Sequence, residues 1–207
     1  MESKIFISAN ELLEDAFKLG KQVLDSGFQP DLIVGIWRGG SPIAIAIHEL
    51  LSLAGVAADH IPVRSQFYSG VDQRRPSVEL WGLDYIAERR EQFEKILLVD
   101  DVLDSGQTFA ALISNINSLY SDHPNSDTDT GNEPDVLPRI LPEIRIATPW
   151  YKPLRNKTEL SPDYHLWTTD AWLVFPHELC DIDTSELLTH KPGIDRIKQH
   201  LSSLPGD

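Results

Sequence analysis

Ten consecutive residues, 99–108 (VDDVLDSGQT), place three carboxylates, two hydroxyls and a glycine behind an apolar run. The apolar residues of 95–101 predict a buried strand, and the pattern of 107–120 predicts a helix. A turn from a strand into a helix exposes backbone N–H groups beside the positive end of the helix dipole, which suits a phosphate. Gly106 allows a ligand to approach the backbone closely, and the two hydroxyls add hydrogen-bond donors.

The three carboxylates, Asp100, Asp101 and Asp104, would repel a phosphate unless they contact another part of the ligand. Carboxylate oxygens accept hydrogen bonds from a sugar diol, and they are ligands that Mg²⁺ prefers. A phosphate site next to acceptors for hydroxyl groups therefore indicates a ribose 5-phosphate held at both ends. The alternative is that Asp100 and Asp101 are ordinary turn residues at a strand end, which a lone Asp-Asp pair would favour.

A second motif, residues 35–42 (GIWRGGSP), also follows an apolar strand. It is close to a nucleotide-binding P-loop, but Ser41 and Pro42 stand where that loop requires Lys and Ser or Thr. The chain is therefore not expected to be a P-loop NTPase, and these two residues instead suit the N-cap and first position of a helix. Arg38 offers one fixed cation next to accessible glycine amides. The alternative is a tight turn that only connects a strand to a helix.

Apolar strands that alternate with helices predict an α/β fold, with a mostly parallel twisted sheet flanked by helices. Such sheets bind ligands at the carboxyl ends of the strands, near a switch in strand order, and both motifs follow a predicted strand. Ser8 and Glu11 form a capping-box pattern at the start of the first helix, and Gly27 suits its end. The other predicted elements are strands at 31–36, 56–64, 78–83, 95–101, 140–148 and 172–175 and helices at 43–53, 84–94, 107–120 and 193–203.

The composition limits the partners of this 207-residue chain, which carries 32 Asp and Glu against 18 Lys and Arg, a net charge of −14. An acidic surface disfavours binding to nucleic acid or to an anionic membrane. No apolar run reaches the about 18 residues of a transmembrane helix, and the N-terminus lacks a signal-peptide pattern. Cys180 is the single cysteine, so no internal disulfide forms. We therefore expect a cytoplasmic protein without a nucleic-acid or membrane partner.

Two polar segments interrupt the predicted elements. Residues 65–77 predict an exposed, flexible loop, and residues 121–138 hold five acids and no Lys or Arg. The second segment has too few large apolar residues to pack, so we expect a disordered acidic insertion. We divide the chain into a core, residues 1–148, which includes both segments, and a smaller hood, residues 149–207, which ends in a helix.

The string 99–108 closely resembles the phosphoribosyl-diphosphate motif of type I phosphoribosyltransferases: two acids between apolar residues, then Asp, Ser or Thr, Gly, any residue, and Thr. The similarity extends over residues 31–53, 95–113 and 146–178 and is strongest to the bacterial xanthine–guanine branch of the 6-oxopurine enzymes. It implies the type I phosphoribosyltransferase fold with a small hood. It also implies that phosphoribosyl diphosphate contacts both turns through Asp100, Asp101, Asp104, Ser105, Gly106, Gln107, Thr108, Arg38 and Gly39.

The family resemblance assigns the pyrophosphate of that substrate to the Arg-Gly-Gly loop. In relatives this loop often contains a non-proline cis peptide, and the bond before Gly39 is the position implied here. A flexible loop that closes over the reacting centre implies that Arg74 or Arg75 contacts pyrophosphate. The alternative for this arginine pair is ordinary solvated surface.

The base-binding residues are implied by a Lys-Pro pair and a later aromatic residue. Lys152 is expected to donate to the 6-oxo oxygen of a purine, Trp172 to stack on the base, and the Leu173 backbone to reach the purine edge. The alternative to stacking is that Trp172 packs in the hydrophobic core. The chain departs from the family at His177, where Pro-His-Glu replaces the usual Pro-Trp-Asp or Pro-Trp-Glu.

Together these features imply transfer of a phosphoribosyl group from phosphoribosyl diphosphate to N9 of xanthine, guanine or hypoxanthine, with release of pyrophosphate, in purine salvage. Asp101 is expected to hold Mg²⁺, Asp104 to be the general acid/base, and the protein to form a homodimer or homotetramer. One alternative is a non-catalytic regulator that senses phosphoribosyl diphosphate. Another is a phosphoribosyltransferase for orotate, uracil or adenine. Lys152 disfavours adenine because two donors would face each other at the 6-position.

Overall fold

A computed structural model describes residues 4–68, 77–121 and 141–197. The helices are α1 (Ala9–Asp25), α2 (Gly40–Leu53), α3 (Asp84–Arg89), α4 (Gln107–Ser121), α5 (Thr184–His190) and α6 (Ile194–Ile197), with a 3₁₀ turn at Arg90–Gln92. The strands are β1 (Lys4–Phe6), β2 (Leu32–Trp37), β3 (Asp59–Tyr68), β4 (Ser77–Trp81), β5 (Lys95–Val99), β6 (Val102–Leu103), β7 (Glu143–Ala147), β8 (Trp150–Tyr151), β9 (Trp167–Thr168) and β10 (Trp172–Val174). The predicted contact residues Arg74 and Arg75, and the acidic segment after its first residue, lie outside the described residues.

The central sheet has five strands in the order β4-β3-β2-β5-β7. All neighbours are parallel except β4, which is antiparallel to β3. From β2 the chain moves first to β3 on one side and later to β5 on the other, so the strand order switches between β2 and β5. Gly35 pairs with Val99, which places the carboxyl ends of β2 and β5 side by side. The predicted α/β fold with a mostly parallel sheet is confirmed, and both sequence motifs follow strands at this switch point.

The central strands are buried on both faces, as their unbroken apolar runs predicted. Successive residues of a strand point to opposite faces of a sheet. In β5, Leu97 and Val99 pack in one cluster with residues of α1 and α2. Ile96 and Leu98 pack in a second cluster with residues of α3 and α4. Each such side chain contributes roughly 1.5–3 kcal/mol by burial, which makes this strand a rigid support for the turn that follows it.

The first helix confirms the capping-box prediction. The backbone N–H of Glu11 donates to the Ser8 hydroxyl at 3.2 Å, and the Ser8 N–H donates to the Glu11 carboxylate at 2.8 Å. Gly27 follows the helix with a φ of +73°, a conformation that favours glycine. The cap fixes the start of α1, whose buried face packs against α2.

Two boundary predictions are wrong. Helix α2 begins before Ser41 and Pro42, because Gly39 is its N-cap and already has helical angles, φ −64° and ψ −35°. The segment 65–77, predicted as a loop, begins and ends in paired strand residues: Ser65 pairs with Leu80 in an antiparallel hairpin. Its polar sequence suited a loop equally well because an edge hairpin tolerates polar residues on its solvated face.

Two smaller sheets that the sequence analysis missed connect the end of the chain to the central sheet. β10 pairs in parallel with β1, and β6 pairs with β8, which in turn pairs with β9. Helix α5 was also missed, although Asp183 and Glu186 form a capping box at its start. Of the strands in these two sheets, only β10 was predicted, at 172–175; β1, β6, β8 and β9 have two or three residues and carry too little periodic pattern. None of the helices in the described ranges is both long and apolar enough to cross a membrane.

Candidate active site

The turns after β2 and β5 are in direct contact. A Cβ atom on Gly40 would clash with the carbonyl oxygen of Val99, and one on Gly39 would clash with the carboxylate of Asp101. Both glycines are buried. A larger residue at position 40 would push the two strand ends apart, and one at position 39 would displace the Asp101 carboxylate, which explains the Gly-Gly pair of the second motif.

Asp100 is held by backbone donors from both turns. Its carboxylate accepts the N–H of Asp101 at 3.0 Å and a backbone hydrogen bond from Gly40. Burial raises the pKa of Asp100 well above its ordinary value, and the neighbouring Asp101 carboxylate raises it further. The two adjacent acids therefore differ in their surroundings, because the Asp101 carboxylate contacts Gly39 and lies 3.5 Å from Nε2 of His177.

The turn between β6 and α4 has the geometry of an anion site. Gly106 has a φ of +75°, and its carbonyl accepts the N–H of Ala110 at 2.9 Å as the helix begins. The Ser105 hydroxyl accepts the N–H of Gln107 at 3.4 Å. Within the described ranges, the backbone N–H groups of Ser105, Gly106 and Thr108 donate to no protein atom. These N–H groups at the start of a 15-residue helix can bind a phosphate.

The segment after β8 packs against this turn. The N–H of Lys152 donates to the Leu103 carbonyl at 2.9 Å, and the N–H of Lys157 donates to the Ser105 carbonyl at 3.0 Å. The Asn156 side chain accepts the N–H of Thr158 at 2.9 Å and lies where a Cβ on Gly106 would be. The glycine in the first motif is thus required by a neighbouring segment as well as by its backbone angle. The sequence analysis missed Asn156 and Thr158 because only the fold brings them to the turn.

Asp104 lies between two cations. One of its oxygens is 3.5 Å from Nζ of Lys152, and the other is 3.2 Å from Nε of Arg155. The Lys152 side chain is almost fully buried, whereas Asp104 and Arg155 are partly exposed. The structure therefore brings together two residues that the sequence analysis singled out separately. Arg155 was missed, although a turn closed by its N–H and the Lys152 carbonyl at 3.1 Å places both cations together.

Trp172 and Leu173 occupy different environments. Trp172 begins β10 with a half-exposed side chain and lies in register with Lys4 of β1. Leu173 is buried in the cluster that includes α1. Across the described part of the chain, no hydrogen bond, ion pair or ring contact joins Trp172 to Lys152. The strand before it does approach the site, because the N–H of Thr169 donates to the Tyr151 carbonyl at 3.1 Å.

Arg38 is exposed and directly precedes Gly39 in the turn after β2. The non-proline cis peptide lies between Trp37 and Arg38, so its predicted position, before Gly39, is wrong by one residue. The difference follows from the early start of α2: Gly39 already has helical angles, and the irregular turn is confined to the residues before it.

His177, which follows β10 in the C-terminal part of the chain, lies next to the turn after β5. Its Nε2 atom lies 3.5 Å from a carboxylate oxygen of Asp101. From the sequence, the departure at this histidine suggested a change in what packs over the base, and its contact with Asp101 was not expected. Among the described residues, no group of three or more His, Cys, Asp or Glu side chains has the spacing of a complete metal site.

Residues 8–181 match the family model of the phosphoribosyl transferase domain. The chain belongs to this phosphoribosyltransferase family. The match includes both turns, the Lys152 segment and His177. No curated protein sequence matches the chain.

Solved structures share the fold of this phosphoribosyltransferase at low sequence identity. A purine phosphoribosyltransferase from Pyrococcus horikoshii is 22% identical, with a TM-score of 0.59 over 87% of this chain and 97% of that one. Xanthine-guanine-hypoxanthine phosphoribosyltransferase from Helicobacter pylori is 18% identical, with a TM-score of 0.58 over 92% and 100%. A hypothetical protein from Neisseria gonorrhoeae with bound ppGpp is 18% identical, with a TM-score of 0.63 over 88% and 93%.

The raised pKa of Asp100 predicts a pH dependence of stability. The folded protein holds this proton more tightly than the unfolded chain, so the stability of the wild type falls as pH rises from about 4 through the folded-state pKa. Asp100→Asn removes this loss. The difference between the unfolding free energies of the variant and the wild type, from urea titrations at a series of pH values, is therefore expected to shift in favour of the variant as pH rises.

Asp183→Asn is the matched control. Hydrogen bonds from Ser185 and the Glu186 N–H lower the pKa of Asp183, so its contribution is lost as pH falls. The unfolding free energy of this variant should therefore fall relative to that of the wild type as pH rises. If Asp100→Asn followed the same direction, the assignment of Asp100 as a desolvated carboxylate would be wrong.

Proposed function

We propose that this phosphoribosyltransferase transfers the 5-phosphoribosyl group from phosphoribosyl diphosphate to N9 of a 6-oxopurine, with release of pyrophosphate. The observation that carries the proposal is the Lys152–Asp104 pair, 3.5 Å apart, beside a turn with free backbone N–H groups. A donor and an acceptor for a base lie next to a site for a phosphate. The residues that bind the two substrates are consequently on one contiguous surface.

The phosphoribosyl group is assigned to the two contacting turns. Free N–H groups between residues 104 and 108 suit the 5′-phosphate, with the hydroxyls of Ser105 and Thr108 and the amide of Gln107 as additional donors. Asp100 and Asp101 are then the acceptors for the ribose hydroxyls. Support comes from the contacts of these carboxylates, because Asp100 accepts the N–H of Asp101 and Asp101 lies against Gly39, whereas the free N–H groups belong to residues further along the turn.

The base is assigned to Lys152 and Asp104 because a 6-oxopurine has two adjacent polar atoms, O6 and N7, on one edge. A lysine donates to O6, and a carboxylate accepts a proton from N7. The ion-pair distance of 3.5 Å matches side chains that would contact neighbouring atoms of one ring edge. Adenine presents an amino group at the 6-position, which would face the lysine donor. Trp172 is proposed to stack on the base, and the Leu173 backbone to lie near its edge.

The reaction needs a proton acceptor and a stabilised leaving group rather than a protein nucleophile. The purine enters with its proton on N7, and the N9 lone pair forms the bond to C1′ of the ribose. The bond from C1′ to the pyrophosphate oxygen breaks, and its electron pair leaves with pyrophosphate. The proton on N7 passes to Asp104. Arg38 and the Gly39 amide are proposed to bind pyrophosphate, and so are Arg74 and Arg75, which lie outside the described residues.

The carboxylates fit a magnesium ion of the kind that is held by one or two acids and by substrate oxygens. Asp101 is the proposed ligand because its carboxylate accepts no backbone N–H among the described residues, whereas that of Asp100 accepts two. When bound, Mg²⁺ would neutralise the charge that grows on pyrophosphate. A role in purine salvage, a homodimer or homotetramer, and a cytoplasmic location remain predictions from the sequence.

A regulatory nucleotide-binding protein is the second candidate. It is favoured by the Neisseria gonorrhoeae structure, which has the same fold and holds ppGpp. A regulatory protein needs only a turn that binds phosphate. The buried Lys152 paired with Asp104 favours the transferase, because these two side chains can bind a base and accept its proton. The two candidates differ in whether pyrophosphate is released.

Incubation of the protein with phosphoribosyl diphosphate, Mg²⁺ and one base at a time tests the proposal. We expect pyrophosphate release with at least one of xanthine, guanine and hypoxanthine, and none with adenine or uracil, because only a 6-oxopurine pairs with both Lys152 and Asp104. A coupled assay for pyrophosphate measures the reaction. Tight binding of phosphoribosyl diphosphate without product from any base would support the regulatory candidate and contradict the proposal.

Asp104→Asn tests the proton acceptor directly. Because the amide keeps the size of the side chain but cannot take the N7 proton, turnover is expected to fall by roughly 10²–10⁴-fold. Binding of phosphoribosyl diphosphate, measured by calorimetry, should change little. Asp195→Asn, in the exposed part of α6, is the control and should have wild-type turnover. Near-normal turnover of the Asp104 variant would remove this residue from the chemistry.

A further inference from the structure

The turn that carries His177 is fixed by two charged side chains of the C-terminal segment. The N–H of Phe175 donates to the Glu178 carboxylate at 2.9 Å. The carbonyl of Phe175 accepts a hydrogen bond from Nζ of Lys191, a side chain that is only 4% exposed as a residue. Burial of an ammonium group is unfavourable without a hydrogen-bond partner, so the contact between Lys191 and this carbonyl is specific. These two contacts fix the backbone at Phe175 and so restrict the position of His177, two residues later.

The His177 ring is oriented by its contacts with Phe175 and Asp101. The ring stacks on Phe175, with centroids 5.8 Å apart and an interplanar angle of 9°. Its Nδ1 atom is buried and has no hydrogen-bond partner among the residues that the structure describes. Its Nε2 atom points at Asp101, 3.5 Å away. Of the two ring nitrogens, Nε2 is therefore the one in position to donate to this carboxylate.

Asp101 is contacted from two sides. One oxygen occupies the position that a Cβ of Gly39 would take, and the same oxygen faces His177. In the described part of the chain, no hydrogen bond ends on this carboxylate, and His177 is the one basic side chain within 4.0 Å of it. His177 is therefore the side chain placed to orient Asp101 against the Arg-Gly-Gly turn.

We propose that His177 is a positioning residue, whose Nε2–H holds the Asp101 carboxylate beside Gly39 in the orientation that binds phosphoribosyl diphosphate with Mg²⁺. This inference rests on the proposed function. The imidazole does not touch the base or the reacting atoms; it acts through Asp101. Loss of the N–H leaves the carboxylate free to rotate, so the ligand must then order it on binding.

Two substitutions separate the N–H from the packing of the ring. His177→Phe keeps an aromatic ring that can stack on Phe175 but removes the donor. His177→Gln removes the ring but keeps an amide N–H at the end of the side chain. Calorimetry with phosphoribosyl diphosphate at fixed excess Mg²⁺ gives Kd, steady-state assays give KM and kcat for each substrate, and thermal unfolding checks the fold.

For His177→Phe we expect Kd and KM for phosphoribosyl diphosphate to rise by about 10- to 100-fold, the usual range for loss of a hydrogen bond to a charged group. The KM for the base should change by less than about twofold, and His177→Gln should recover most of the lost affinity. Equal defects in both folded variants would assign the effect to ring packing and overturn the inference. Wild-type Kd in His177→Phe would do the same.

The failure of this inference is distinguishable from the failure of the proposed function. If the wild type binds phosphoribosyl diphosphate but releases no pyrophosphate with any base, transfer is excluded and the Kd values still decide the role of His177. If the wild type releases pyrophosphate and His177→Phe binds normally, only the positioning role is wrong. If the wild type does not bind phosphoribosyl diphosphate, both are wrong.

Discussion

The contact between two turns at the switch point of the sheet is the constraint on which the candidate site depends. Gly39 and Gly40 lie against Val99, Asp100 and Asp101, with no room for a Cβ atom between them. This approach buries a carboxylate, which is unfavourable unless donors compensate. Backbone N–H groups of Gly40 and Asp101 supply that compensation. The two parallel strands that precede the turns are buried on both faces. Their packing holds the turns together and offsets the cost of desolvating the Asp100 carboxylate.

The C-terminal part of the chain completes the site from two directions. Lys152 and Arg155 follow the short strand β8 and flank Asp104, while His177 follows β10 and faces Asp101. Asp101 and Asp104 thus each have a basic partner from a distant segment, whereas among the described residues Asp100 has only backbone donors. This difference suits separate roles: Asp101 and Asp104 can exchange these partners for a ligand, and Asp100 fixes the turn.

The fold and the first turn were predictable because their signals are local. The apolar run before Asp100, the capping box of Ser8 and Glu11, and the glycine at position 106 each specify a conformation from neighbouring residues. The roles of Arg155, Asn156 and His177 were not predictable in this way, because their partners are more than 40 residues away in the chain. The start of α2 was misplaced since Ser41 and Pro42 suit a helix start, but the packing of Gly40 against β5 begins the helix earlier.

A crystal structure of the protein with phosphoribosyl diphosphate and Mg²⁺ would show where the sugar phosphate binds. We predict density for the 5′-phosphate on the N–H groups between residues 104 and 108, with the ribose hydroxyls next to Asp100 and Asp101. Density for the phosphate at any other place, with this turn free of ligand, would contradict this prediction.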